Sequence, residues 1–487
     1  MRDNNELHLI GKALPKVDAM GKVTGETKYA DDLFLPRMLY GRLLGCHHPH
    51  AHIKAIHAER AEALPGVVAI ITGAHLPVKY GILPVSQDET GLAADKGRFV
   101  GDPIAAVAAL DEETAERALD LIEVEYEELP SYLSIEEALT KDGEPVHDYG
   151  DRGNIHKLVS LEFGDSEAGF AGADYVREDT FFYQGSTHLP MEQHSAVAQY
   201  TSDGKLTLWS STQTPHYVHR TLSKALDLPM SRVRVIAAPV GGGFGGKTDP
   251  FPHEIAAAKL AMVTGRPVKI TLTREEVFYA HRGRHPVLMW ARTGARKDGS
   301  ITAMHFKTFL DGGAYGSYGV ASTYYTGALQ TATYKIPAYK FEGMRLFTNK
   351  PPCGPKRGHG TPQPRFAMEV QLDKIAEALN ISPVDIRRNF LVDENSHTVN
   401  HLRITSCGLG ECLDKVVAAS AFHEKHRHLP FGKGVGLACS SYLTGAGLAI
   451  YWNKMPHTSV QIKLDRGGGV AVLCGEIDIG QGSDSVL

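Results

Sequence analysis

Short apolar blocks recur along the chain, and their periods separate strands from helices. GVVAIITG (66–73) and PIAAVAAL (103–110) are unbroken apolar runs, the pattern of strands covered on both faces. IEVEYEEL (122–129) alternates instead, as a strand with one wet face does. Between them DEETAERALDLI (111–122) opens with acids and continues at helical spacing. KLTLWSS (205–211), VRVIAAPV (233–240) and VKITLTRE (268–275) read as further strands. HEIAAAKLAMV (253–263) reads as a helix closed by Gly265 and Pro267, and AMEVQLDKIAEAL (367–379) as an amphipathic helix. Strands mixed with helices in this order predict an α+β (mixed α/β) fold. The expected units are residues 1–135, a polar linker at 136–160, a second unit at 161–400, and a third opening near LRITSCGLGECLDKVVAA (402–419). The closing stretch EIDIGQGSDSVL shows no terminal element, so 401–487 is expected to be the start of a longer unit.

Composition narrows the function classes. Of 487 residues, 43% are hydrophobic and 22% charged, as in a packed globular protein. The net charge of −5 gives no global basic field for a nucleic acid backbone. No apolar run reaches the roughly 18 residues of a membrane span, and the first residues lack a secretory core. The six cysteines contain no C-x-x-C pair. A cytoplasmic protein with no membrane or nucleic-acid partner is expected, and any iron–sulfur cluster would sit on another chain.

The densest chemistry is GGGFGGKT (241–248). It satisfies the phosphate-loop pattern through Gly241, Gly246, Lys247 and Thr248, and its first six residues satisfy G-x-G-x-x-G. A phosphate loop needs a helix starting on its Gly-Lys-Thr. Pro250 and Pro252 delay any helix to about Pro252. The dinucleotide reading lacks an acid some twenty residues on. Five glycines in six residues point instead to backbone lining an anion or oxo site. An NTP-binding protein using Lys247 and Thr248 remains as a reading of another class.

Other clusters favour bland readings. HHPHAH (47–52) fits no closed zinc spacing. HRGRHP (281–286) reads as a solvated or ion-paired loop more than a nucleic-acid patch. Glu476 and Asp478 share a strand face as an acid–base pair could, but a polar face leading into a loop is the simpler reading.

GGGFGGK (241–247) is similar to the signature loop of the molybdenum-cofactor subunit in the xanthine oxidase family. KVTGETKYADD (22–32), LPGVVAIITG (64–73), LWSSTQTPH (208–216), DGGAYGSYG (311–319), YKIP (334–337), KRGHGTPQ (356–363) and EIDIGQGSDSVL (476–487) follow in that family's order. The resemblance covers nearly the whole chain. It implies an α/β hammerhead-like domain at 1–135, a first cofactor-binding domain at 161–400 with mixed sheets, and an incomplete second one from 401. It implies a molybdopterin cofactor, in its cytosine dinucleotide form, whose pterin dithiolene holds the molybdenum with no protein ligand to the metal. By the same resemblance Phe244 and Gly245 place backbone N–H groups near the metal's ligands, Gly243 is a further cofactor-binding residue, and the Gln213 amide bonds one of the metal's ligands. Arg357 lines the other side, and Gly480, Gln481, Gly482 and Ser483 contact the pterin and its phosphate. Glu192 and His194, in PMEQHSA, match a segment near the cofactor layer. Partner subunits carrying [2Fe-2S] clusters and FAD, assembled as a heterohexamer, are implied too, and the base glutamate is expected beyond Leu487.

Departures bear on substrate. Carbon monoxide dehydrogenases of the family carry a cysteine after the matching arginine, where this chain has Gly358, so Cys353 is expected to be a loop or packing residue. Purine-oxidising relatives have an arginine where this chain has Tyr325, beside Tyr324, and a phenylalanine where it has His359. PPCGPKRGHGTPQ and the tyrosine pair most resemble the alpha subunit of 4-hydroxybenzoyl-CoA reductase. That implies reductive removal of a ring hydroxyl from an aromatic CoA thioester with ferredoxin electrons. Tyr325 would be catalytic, with Tyr324, Tyr325 and His359 lining the pocket. The alternative is a water-dependent hydroxylase of an aromatic aldehyde or N-heterocycle.

Overall fold

The computed structural model describes residues 9–148, 150–280, 282–442 and 459–487. Its main layer is a seven-stranded mixed sheet, in the order Val233–Ala237, Leu206–Ser210, Ser195–Tyr200, Val268–Thr271, Leu39–Gly45, Pro103–Ala109, Val67–Thr72. The sheet crosses the expected unit boundary. Leu39–Gly45 pairs in parallel with Val268–Thr271, Leu39 opposite Val268. The apolar run at 103–109 is covered on both faces, with Ile104 to Ala109 all fully buried. The run at 67–72, expected to be covered likewise, is the edge strand beside it, with Val68 41% exposed. The alternating strand Glu123–Glu128 joins a separate three-stranded sheet with Ala51–His57.

The helix Glu112–Leu119 is capped by Asp111, whose carboxylate accepts from the Thr114 N–H. Residues 136–160 contain the helix Ile135–Thr140 and the first part of strand Ile155–Phe163. That strand opens a five-stranded sheet, continuing through Tyr339–Leu346, Ile301–Asp311, Val287–Ala295 and Tyr175–Tyr183. The long helix Pro362–Leu379 packs on it through Ala367, Met368, Leu372 and Ile375. Near the end of the chain, strands Val460–Leu464 and Val470–Cys474 form a two-stranded hairpin. No helix among the described residues is long and apolar enough to cross a membrane.

The helix Pro252–Thr264 lies on the first sheet, buried along its first ten residues, and ends on left-handed Gly265 at φ 63°. One acid sits inside that apolar layer. Glu254 accepts from Ser210 Oγ at 2.6 Å and from the Phe251 N–H at 2.8 Å, and burial pushes its carboxyl up to about 7. The folded value lies above the unfolded one, so Glu254's contribution to stability is complete below about pH 4.5 and is lost as pH rises through 7. Glu254→Gln keeps an acceptor and a donor for the same partners. Its thermal stability is expected to vary less than wild type's between pH 4.5 and 7.5, in a melting series across that range.

Candidate active site

One large cleft, about 1320 Å³, collects most of the singled-out residues. Gln213, Gly241, Gly242, Phe244, Gly245, Lys356, Arg357, His359, Gly480 and Gln481 line it. The S-T-Q segment leaves the sheet after Leu206–Ser210, and the glycine run leaves after the parallel neighbour Val233–Ala237. Two parallel strands thus deliver both loops to one end of the sheet, where ligands gather in such folds.

Hydrogen bonds fix the loops to each other. The Gln213 N–H donates to Lys247 O at 2.9 Å, and Thr214 Oγ1 donates to Thr248 O at 2.5 Å. In return the N–H groups of Gly245 and Lys247 donate to Gln213 Oε1, at 2.9 and 3.1 Å. With its carbonyl held by two donors, the Gln213 amide turns its NH2 outward as a donor. Arg357 N–H donates to Phe244 O at 2.9 Å, joining the third loop, and the Arg357 guanidinium rests over the Phe244 ring at 5.4 Å. Phe244 is held at φ 54°, a left-handed conformation uncommon for a bulky residue and a form of local strain.

Glycine is required where these loops touch. A Cβ on Gly243 would come within 2.5 Å of Gln213 Cδ, and one on Gly245, itself at φ 97°, within 2.5 Å of Pro355 O. The N–H groups of Gly242, Gly243 and Phe244 make no hydrogen bond within the described residues. Gly245 is a correction: its N–H, expected near the metal's ligands, is held by Gln213.

One alternative reading falls away and one expectation changes. The phosphate-loop reading fails, because the helix begins only at Pro252 and Lys247 is turned inward. Its side chain is fully buried and its Nζ meets Glu192 Oε2 at 2.5 Å. The tyrosine pair does not form a wall of the cleft. Tyr325 is 5% exposed and lies behind His359, ring centroids 4.9 Å apart, and burial raises its phenol. Tyr324 faces elsewhere, with the Lys157 amine over its ring at 5.5 Å. His359 itself lines the cleft, bonded to Ser322 Oγ at 2.7 Å, and burial lowers it to about 3, so it is a neutral imidazole.

Gly480 and Gln481 reach the cleft from the chain's last segment, while Gly482 and Ser483, expected to contact the cofactor, do not line it. The Gln481 amide is tied inside its own loop, accepting from the Ile479 N–H and donating to Glu476 and Ser483. Residues 16–23, which no local pattern marks, close this side. Lys16 Nζ donates to Gly480 O at 2.7 Å, and Lys16 and Lys22 face the cleft.

The tempting clusters resolve into structure. His48, His50 and His52 take separate partners in Glu128, Pro130 O and Glu144. Arg282, Arg284 and His285 of the basic run are buried, and His281 lies outside the described residues. Burial pushes the Cys353 thiol up to about 12, which leaves it unreactive.

These walls suit a large polyanion. Lys16, Lys356 and Arg357 supply cations, while Lys22 pairs with Asp18; unbonded backbone N–H groups supply dipoles, and the crowded glycines allow a close approach. A molybdopterin, with its phosphate, is an anion of that kind.

The molybdopterin cofactor-binding domain family matches residues 146–391. The a/b hammerhead domain of aldehyde oxidase and xanthine dehydrogenase matches residues 24–130. The chain is 38% identical to the nicotinate dehydrogenase large molybdopterin subunit of Eubacterium barkeri, over 84% of this chain and 96% of that one. It is 34% identical to the xanthine dehydrogenase molybdenum-binding subunit of Escherichia coli O157:H7, over 97% of this chain and 64% of that one. Its fold matches the aldehyde oxidoreductase of Desulfovibrio gigas with a TM-score of 0.89 at 28% identity, over 97% of this chain and 53% of that one. The chain thus spans between about half and two thirds of these last two proteins. Cleft, loops and matches agree: this chain belongs to the xanthine oxidase family, with that family's molybdopterin cofactor-binding domain.

Proposed function

We propose that the protein serves a dehydrogenase that hydroxylates an electron-poor N-heteroaromatic ring with oxygen from water. The observation that carries this reading is the meeting of Gln213, the glycine loop and Arg357 in one cleft. Lys16, Arg357 and the unbonded N–H groups of the glycine loop would hold the cofactor, which would supply two-electron redox chemistry. Gln213 contributes an oriented NH2 donor to negative charge that develops in the reaction. Arg357, stacked on Phe244, holds an anionic substituent, and the neutral His359 offers a hydrogen-bonding edge. This reading implies [2Fe-2S] and FAD groups on partner subunits, which would supply the route for electrons. The cytosine dinucleotide form, the heterohexamer and a cytoplasmic site belong to the same reading.

The hydroxylase is favoured over reductive dehydroxylation of a CoA thioester for two reasons. Relatives matching most of the chain are named for nicotinate and xanthine, both N-heterocycles. And Tyr325, the proton donor of the reductase reading, is buried behind His359. Tyr325→Phe should therefore change kcat less than about threefold; a loss of roughly 10²–10⁴-fold, the range of a lost general acid, would restore the reductase. The direct test uses the full-length subunit with its partners in ¹⁸O water. Label in the hydroxylated product of nicotinate or xanthine supports the proposal. Turnover confined to 4-hydroxybenzoyl-CoA with reduced ferredoxin, or a complex without molybdenum, overturns it.

A further inference from the structure

Glu192 and Lys247 are 55 residues apart and meet under the floor of the cleft. The Glu192 side chain is 10% exposed and that of Lys247 0%. Glu192 Oε2 accepts from Lys247 Nζ at 2.5 Å and from the Gly241 N–H at 2.8 Å. Its Oε1 is buried with no hydrogen-bond partner. A buried ion pair is weak as a source of net stability, since desolvation offsets the attraction. An unsatisfied buried oxygen adds a further penalty of about 1–3 kcal/mol. Such an arrangement calls for a role other than stability.

Position gives that role. Gly241 and Lys247 are the two ends of the glycine run, so one carboxylate oxygen holds both. Between them lie four glycines and Phe244, so that one ring is the only side-chain packing the loop has of its own to keep its shape. Within it, the Gly245 and Lys247 N–H groups are the two that hold Gln213 Oε1. An amide's oxygen and nitrogen ends are nearly equal in shape and opposite in hydrogen bonding. A relaxed loop would let the Gln213 amide turn over and present an acceptor where a donor stood.

We propose that the buried Glu192–Lys247 pair is a positioning device: it closes the ends of the glycine loop and thereby fixes the Gln213 amide with its NH2 toward the cleft. Glu192 and Lys247 act through Gln213 and need not touch the substrate. The effect on turnover rests on the functional reading above; the effect on the loop does not.

The experiment uses the full-length subunit in its complex, as wild type, Lys247→Met and Glu192→Gln. Hydrogen exchange of the peptide spanning 241–248 is read first, and it needs no cofactor. At least tenfold faster exchange in both variants, with the helix peptide 253–263 unchanged, is the expected result; unchanged exchange in 241–248 overturns the device. Turnover is then divided by measured molybdenum. We expect kcat per molybdenum to fall at least tenfold with KM within about threefold, and the Mo(V) electron paramagnetic resonance signal to shift. Wild-type kcat per molybdenum, or a loss explained wholly by lost metal, overturns the effect on Gln213. If Lys247→Met does not accumulate, Glu192→Gln carries both readings, since it keeps the volume and an acceptor for Gly241. A wild-type complex without molybdenum defeats the functional reading alone, and the exchange result still decides the loop.

Discussion

Gln213→Glu in the complete complex should lower kcat by roughly 10²–10³-fold, with KM nearly unchanged. The range is that of losing one preorganised donor to developing negative charge. The substitution is sharp because it removes so little. A glutamate has the same length, and its carboxylate accepts from Gly245 and Lys247 as the amide oxygen does. What disappears is the NH2, and a second acceptor takes its place. An interaction made mainly in the transition state shows in kcat, whereas ground-state binding would show in KM. Molybdenum content should stay near wild type, because the loop contacts persist. A kcat within threefold of wild type would mean that the Gln213 NH2 faces no developing charge.

The largest effect on stability is expected from Arg282→Met. Arg282 is 3% exposed and lies between Glu89, to which Nη2 donates, and Asp249, at 3.1 Å from Nε. Its guanidinium also covers the Phe251 ring at 5.3 Å. Asp249 accepts from Ser317 and directly follows the end of the glycine run. Methionine keeps the apolar stem but leaves two buried carboxylates uncompensated. Breaking such a network typically costs about 3–5 kcal/mol. The melting temperature should fall by several degrees, and the loss should shrink toward acid pH as the carboxylates take up protons. A melting temperature equal to wild type's at pH 8 would show that the carboxylates have neutralised themselves.

The elements were legible where periodicity is local. The runs at 66–73, 103–110, 205–211 and 233–240 all hold strands, and 253–263 a helix. The strand expected at 268–275 stops at Thr271, and a helix starts at Arg274. Thr273 and Glu276 form reciprocal side-chain-to-backbone bonds there, a capping box that the letters T-R-E-E already contain. The helix expected at 367–379 begins at Pro362, after Thr361, a start signal that also lay in the sequence. The site was readable loop by loop, since Gln213, Phe244 and Arg357 each sit in a distinctive run. The Glu192–Lys247 pair and the wall from Lys16 to Gly480 were not, because nothing local connects residues 55 or 464 positions apart. Tyr325 misled for a related reason: its neighbours suggested a pocket, but only packing shows that His359 stands in front of it.

The sheet that joins the first and second units sets a timetable for synthesis. Arg42 Nη1 donates to Thr271 O, a partner 229 residues later. At roughly 5–20 residues per second, the ribosome leaves strand Leu39–Gly45 without its parallel neighbour for about 10–50 s. For that interval the chain carries an apolar strand with an open edge, a template for pairing with other nascent chains. Faster translation, or a chaperone that covers residues 39–45, becomes the lever on yield. Synonymous codons between 46 and 267 are thus a place where the recovery of this protein can change without any change in the protein.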